Sequence, residues 1–376
     1  MVLGEDEVRI SFSKFIATVG ANSTRLCGAT FALLLVAVTP AAIAQDVNAP
    51  VVPPTVEELG GQALIDAAKK EGAVTFYTAE VTPVYLAQVK AFNRQFPEIK
   101  VEVVRQGSAQ LDTQLKAEVQ AGKFNGDVVS TVGDDLMEVY RSKLKILADY
   151  KPPAADKYSA NDTTNGQWYP ISAIVNGFAY NAAIIKEADA PKSWADFLSP
   201  AYNGRRGYPL PNSTCFMTAV WFTGQVLGIE AGKDYQSYWK ALAATKPALY
   251  SSSPEMVPPL AQGQNMVSYM IDSLVQPGQQ VKFVYPTDGA ASCWHSTQVA
   301  AKAPHPNAAR LFLNYLLSRE AQAINVKDLN TFSFRIDMPA PKAAPAGYKV
   351  WRQAPDFDAK HPTWQKEWLD IFGAKL

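Results

Sequence analysis

Only three histidines, His295, His305 and His361, are available for acid–base or metal chemistry, and the last two are each followed by proline. The chain has no Gly-x-Ser-x-Gly elbow, no His-Glu-x-x-His helix, no Cys-x-x-Cys and no phosphate-cradling glycine loop. Cys293 and His295 stand two apart, a spacing that puts both side chains on one face of a strand. A thiol beside an imidazole is the pairing a secreted hydrolase would use, and plain burial of both is the alternative. Ser213 and Thr214 open an apolar helical run, where free N–H groups and the helix dipole favour an anion; simple capping by Asn212 or Ser213 is the competing explanation. Asp272 ends the short apolar run Met266-Val267-Ser268-Tyr269-Met270-Ile271. Such a run after a Gly-centred turn reads as a buried strand, and polar groups at its C-terminal end face a crevice. Trp168 and Tyr169 flank a ligand or plug a seam between domains.

These residues need a scaffold, and composition bounds it. The chain has 376 residues, is 48% hydrophobic and carries 35 basic against 35 acidic residues. That suits two domains with sizeable cores and gives no reason to invoke nucleic acid. Lys14 and Arg25 precede an apolar run over 29–38, and Ala42-Ile43-Ala44 follows. This is the layout of a secretory signal cut after Ala44, and the run is too short to span a membrane. The mature chain is expected in the periplasm, with a linker over 45–55. Beyond the leader, which holds Cys27, only Cys215 and Cys293 remain. A disulfide and two buried thiols both stay open, because sequence does not supply the Cα separation.

Thr55 with Glu58 reads as a capping box for a helix over 56–71 that ends at Gly72. Strands over 73–77, 100–104 and 127–131 alternate with helices over 84–96, 111–121 and 135–142, which predicts βαβ units and a largely parallel sheet. The loops after those strands line the crevice in such sheets. A long strand-like run over 171–180 crosses to a second α/β unit. There a strand over 207–210, helices over 215–227 and 235–244 and a serine-capped helix after Ser251 precede the Asp272 strand. A strand over 281–285 is expected to cross back, and His305-Pro306-Asn307 starts a helix over 308–317. The resulting division is 56–173 with 284–325 as lobe 1, 174–283 as lobe 2, and 326–376 as a C-terminal helical segment packed on both.

Several stretches carry a family resemblance. They are Phe96-Pro97-Glu98-Ile99-Lys100-Val101 with Asp127-Val128-Val129, Tyr180-Asn181, Ala190-Pro191-Lys192-Ser193-Trp194-Ala195-Asp196-Phe197-Leu198-Ser199-Pro200, and His305-Pro306-Asn307-Ala308-Ala309-Arg310-Leu311-Phe312 running on to Leu316-Leu317-Ser318-Arg319-Glu320. Over about residues 72–325 the chain resembles the family 1 extracellular solute-binding proteins of ABC importers, the iron(III)-binding-like receptors. The resemblance implies an α/β, two-lobed type II periplasmic-binding-protein fold with two crossover strands and ligand in the cleft. It also implies a small-molecule solute, an ABC permease with its ATPase as partners, a monomer, no cofactor and no catalysis.

Iron-binding members of that family place a His after the first strand, a Glu after the third and paired Tyr after the strand that here ends at Asp272. The corresponding positions fall near Val81, near Val132 and at Ser273-Leu274, none a donor for a hard ferric ion. Direct metal binding is therefore not expected. The family's anion position matches Pro211-Asn212-Ser213-Thr214-Cys215-Phe216, and Ser253 falls near another. In the branch that resembles sugar-phosphate and phosphonate receptors, a cleft carboxylate accepts from ligand hydroxyl or amine groups, a role for which Asp272 is placed. The expected ligand-binding set is Thr78, Glu80, Thr131, Trp168, Ser213, Thr214, Ser253, Tyr269 and Asp272. The expected solute is a small organic phosphate, phosphonate or carboxylate. The alternatives are a ferric-iron or ferric-complex receptor and a secreted hydrolase.

Overall fold

The computed structural model describes residues 51–376 apart from 161, 213, 230–233, 276–277, 347, 349 and 352–356. The leader, the cleavage point after Ala44 and part of the 45–55 linker lie outside the described residues. The first helix, α1 (Gln62–Glu71), starts later than its capping box suggests. The Glu58 N–H does reach Thr55 Oγ1 at 3.2 Å, but Gly60 and Gly61 follow at φ of 99° and 94°, which a right-handed helix cannot accommodate. Then come β1 (Ala73–Thr78), α2 (Thr82–Gln95), β2 (Lys100–Arg105), α3 (Ser108–Gln120), β3 (Val128–Val132) and α4 (Asp134–Glu138). β1 pairs in parallel with both β2 and β3, as alternating strands and helices require.

β4 (Tyr169–Asn181) is buried along its whole length. It leads into α5 (Trp194–Phe197), β5 (Arg206–Pro209), α6 (Thr214–Trp221), α7 (Ser237–Ala244), β6 (Ala248–Tyr250), α8 (Ser253–Ala261) and β7 (Val267–Ile271). β5 pairs in parallel with β6 and β7, so a second parallel unit mirrors the first. The remaining elements are β8 (Val281–Val284), β9 (Ala290–Val299), α9 (Pro306–Leu316), α10 (Arg319–Lys327), β10 (Val350–Trp351) and α11 (Phe357–Phe372).

The strand order is β2-β1-β3-β9-β4-β7-β5-β6, with β10 on β9 and β8 on β4. Two long antiparallel strands thus join the two parallel units. β4 pairs with β9 through Val175 and with β7 from Asn176 onward. β9 reaches back to β3, opposing His295 to Val132. The return crossing therefore belongs to β9 and not to the 281–285 stretch. β8 stays on the far half of β4, pairing Phe178 with Val284. β9 escapes a period-two reading because all ten of its residues are buried, polar and apolar alike.

Two aromatic cores brace this frame. Under the first unit, Phe312 of α9 meets Phe76 and Phe92 edge-on, at centroid distances of 5.2 and 5.0 Å. Each buried ring contributes about 1.5–3 kcal/mol. In the second, Trp194 packs against Phe178 and Phe222, while Trp368 of α11 stacks on Tyr208. α11 packs on α6 and α7, so the C-terminal segment closes the second core.

Candidate binding site

A cavity of about 340 Å³ opens where loops from both parallel units converge, within the size range of small-molecule sites. One wall comes from the end of β1 and the β2–α3 junction: Ala79, Val81, Arg105, Ser108 and Gln110. The opposite wall comes from Asn212, Phe216 and the Ser251–Ser252–Ser253 turn ahead of α8. Val132, Ile174, Cys215, Ile271 and His295 form the floor along the crossover strands. Among the described lining residues there is one cation, Arg105, and no carboxylate.

The local sequence explains these positions. β2 ends in Arg105, and α3 begins at Ser108 behind Gly107, whose lack of a side chain leaves the helix start without a side-chain cap. Unbonded N–H groups in that first turn carry partial positive charge. The Arg105 Nε donates to the Glu80 carbonyl at 3.1 Å, which fixes the guanidinium over the first loop. On the other wall Asn212 Nδ2 donates to the Ser251 carbonyl at 2.8 Å, tying the α6 approach to the α8 start. Glu255 does not line the cavity, but its carboxylate accepts from two lining residues, Ser252 Oγ at 2.8 Å and the Ser251 N–H at 3.2 Å. Cys215 and Cys293 form a disulfide with Cα atoms 5.3 Å apart, pinning α6 to β9 beneath the cavity. The bridge leaves no free thiol beside His295, so the cysteine–histidine nucleophile does not exist in this state.

Of the residues expected to contact ligand, Ser253 lines the cavity. Ser213 lies outside the described residues, and Thr214 opens α6 with its side chain undescribed. The other six are buried behind the cavity wall. Thr78 and Glu80 face inward while Ala79 and Val81 face the cavity, and Ile271 lines it while Asp272 does not. Successive residues of extended chain point to opposite sides, so a shift of one position exchanges lining for packing. Thr78 Oγ1 accepts the Glu80 N–H at 3.0 Å, and Thr131 is fully buried near the Tyr140 hydroxyl. The Trp168 Nε1 donates to Asp134 Oδ1 at 2.7 Å, an oxygen that also takes Trp294 Nε1 and Ser296 Oγ. The Tyr269 hydroxyl donates to Asn176 Oδ1 at 2.6 Å.

Asp272 is wholly buried at the foot of β7, and its Oδ1 accepts the next N–H, that of Ser273, at 2.7 Å. Burial pushes its carboxyl well above the usual range; backbone N–H groups of Val175 and Ser273 pull the other way, and Glu80 adds to the rise. Arg105 and Gln110 were missed as lining residues, whereas Ser108 and Asn212 fall in the loop and in the anion position expected at the crevice. A cation just before a Gly-Ser helix start, at the end of a strand, was the available signal for Arg105.

The comparisons fit this geometry. The profile of the family described as bacterial extracellular solute-binding protein matches residues 87–356. The chain belongs to that family. A relative, the Fe(3+)-binding periplasmic protein of Serratia marcescens, is 24% identical over 294 residues, covering 74% of this chain and 84% of its own. Iron-bound HitA from Pseudomonas aeruginosa superposes with a TM-score of 0.63 at 21% identity, over 79% of this chain and 99% of HitA. AfuA from Actinobacillus pleuropneumoniae, with fructose-6-phosphate bound, gives 0.65 at 18% identity, over 81% of this chain and 99% of AfuA. The fold of this solute-binding protein is thus the two-lobed type II arrangement, with the cavity between lobes and β4 and β9 as its crossover strands. The relatives are binding proteins by name, one of them the substrate-binding protein of an ABC transporter. No described helix is long and apolar enough to cross a membrane.

Proposed function

We propose that this periplasmic receptor captures a small anionic organic solute, of phosphate-ester, phosphonate or carboxylate type, between its lobes and delivers it to an ABC permease. The observation that carries this reading is the cavity's charge: Arg105 and the starts of α3 and α8 face it, and no described carboxylate lines it. A guanidinium and free helix-start N–H groups both favour an oxyanion. Thr214, which opens α6 next to the lining residue Cys215, and its sequence neighbour Ser213 belong to the same proposed anion set. Closure would be a hinge motion about β4 and β9, where the chain passes between lobes.

The ferric reading is weaker on chemistry. Where a hard cation needs oxygen donors, the cavity presents Val81, Val132 and Ile271. Among the described residues, no group of three or more His, Cys, Asp or Glu side chains is gathered as a metal set. Calorimetric titration of the ligand-free protein with hexose phosphates, phosphonates, small carboxylates and ferric citrate separates the readings. Heat with one of the anions, lost in Arg105→Ala, supports the proposal. A tight, visibly coloured ferric complex and no response to the anions would overturn it.

A further inference from the structure

α11 lies past residue 356, where the match to the family profile ends. Phe357, Trp364 and Trp368 are buried, at the spacing of seven and four that puts them on one helix face. Between the two tryptophans stands a half-buried amide, Gln365, which a helix that only fills a core does not need. Its Nε2 donates to the Pro211 carbonyl at 2.5 Å, 154 residues away in sequence. Pro211 lies in the short turn that carries the chain from β5 to α6, and that turn is held at three points. The Leu210 N–H donates to the Tyr250 carbonyl at 2.8 Å, and Asn212 Nδ2 to the Ser251 carbonyl at 2.8 Å. Both of those anchors belong to the end of β6 and the turn after it. Gln365 supplies the third from a different element. Trp368 adds an apolar route to the same wall. It stacks on Tyr208 of β5 at 6.1 Å, Tyr208 meets Tyr269 of β7 at 5.5 Å, and the lining residue Phe216 meets that same Tyr269 ring at 5.9 Å. Glu367 accepts the Tyr235 hydroxyl at 2.5 Å, which ties the helix to the approach to α7 as well. Neither Gln365 nor Trp368 lines the cavity.

We propose that α11 is a positioning strap for the lobe 2 wall of the cavity: Gln365 fixes the Pro211 carbonyl, and through it holds Asn212 and the start of α6 in the arrangement that receives the solute. Gln365 is a positioning residue, because it acts through the turn and does not touch the ligand. The gain is pre-organisation, since a turn already ordered in the free protein does not have to be ordered on binding. A site keeps its geometry only when the groups behind it are themselves fixed. Here the fixing group comes from a helix outside the matched family stretch, so the wall's rigidity is a property of this chain's own C-terminal segment. The binding arm of the test below rests on the anion reading; the exchange arm does not.

Hydrogen exchange of the ligand-free protein, read by mass spectrometry, compares wild type with Gln365→Leu, which keeps the bulk and removes the donor. Amides over 212–217 should exchange about fivefold faster, the loss of one neutral hydrogen bond. Amides at the start of α3 in lobe 1 and the thermal midpoint should stay as in wild type. Gln365→Lys, which still carries a donor, should restore much of the protection. Calorimetric titration with glycerol 3-phosphate and with ethylphosphonate should show binding weakened by a similar factor in Gln365→Leu and partly recovered in Gln365→Lys. Unchanged exchange over 212–217 in Gln365→Leu overturns the strap. So does faster exchange throughout the chain with a lowered thermal midpoint, which would make the amide a general packing group. Equal affinity of wild type and Gln365→Leu for a probe that binds overturns it too. No binding of either probe to wild type counts against the anion reading, and the exchange result still decides the strap.

Discussion

Glu80 and Asp272 occupy matching places in the two lobes, each just past the end of a strand and each fully buried, yet their surroundings differ. Glu80 has every neighbour a carboxylate needs: the Val81 N–H, the Ser172 hydroxyl and the His295 ring. Asp272 has the Ser273 N–H on Oδ1, while Oδ2 finds no hydrogen-bond partner of ordinary geometry. The first acid supports a ring at the cavity floor. The second is driven toward its neutral form by burial and serves the packing between β7 and the crossover strand. A buried acid at a strand end is thus no functional signature by itself; its donors decide what it does.

The comparison supposes that both strand ends stay pressed on the shared crossover strands. Breaking the Cys215–Cys293 bridge is the strongest way to disturb that. The paired cysteines are 78 residues apart in sequence, and a loop of that length corresponds to about 4 kcal/mol of stability in the loop-entropy account. Denaturant unfolding of Cys215→Ala/Cys293→Ala should show a loss of that order, with a steeper transition because the unfolded chain without the bridge exposes more surface. Next in size is Glu80→Ala, which strands the Ser172, Val81 and His295 donors. We expect about 3 kcal/mol of destabilisation, and less in Glu80→Gln, whose amide oxygen still accepts part of these bonds. If Glu80→Ala unfolds no more easily than wild type, the contrast between the two acids fails.

Arg105→Ala should leave stability nearly unchanged, because the residue is exposed, while weakening anion binding about 10- to 100-fold, the loss of one charge-assisted contact. The smallest effect is expected at Asp272, and its sign is set by its raised pKa. The folded state holds the Asp272 proton above the pH at which the unfolded chain releases it, so this group's stabilisation is present at acid pH and lost as pH rises toward its folded pKa. Asp272→Asn should therefore raise the thermal midpoint at pH 8 more than at pH 5. A larger gain at pH 5 would contradict that assignment. His295 works in the opposite direction, since its lowered pKa makes its contribution fade as pH falls below the ordinary histidine range.

The fold was largely legible because the βα repeats, the long run ending at Asn181 and the glycine and proline stops each carry local signals. What stayed hidden was hidden for physical reasons. β9, Ala290–Val299, is buried on both faces and mixes Ser, Thr, Gln and His with its apolar residues, so alternation never appears. The pairing of Cys215 with Cys293 depends on how α6 crosses β9, which no local pattern encodes. The site suffered from a one-residue ambiguity: sequence put Thr78, Glu80 and Asp272 at the crevice, and the pleat presents Ala79, Val81 and Ile271 instead. Among the expected residues whose side chains are described, Ser253 lines the cavity.

The claim on which the rest depends is that a cavity with one cation and no described carboxylate receives an organic anion. Calorimetric titration of wild type and Arg105→Ala with a series of phosphate esters, phosphonates and carboxylates, beside ferric citrate, tests it most directly. The account predicts saturable binding of at least one anion to wild type, reduced about 10- to 100-fold in the variant. Saturable ferric binding that is indifferent to Arg105, with no response to the anions, would contradict it.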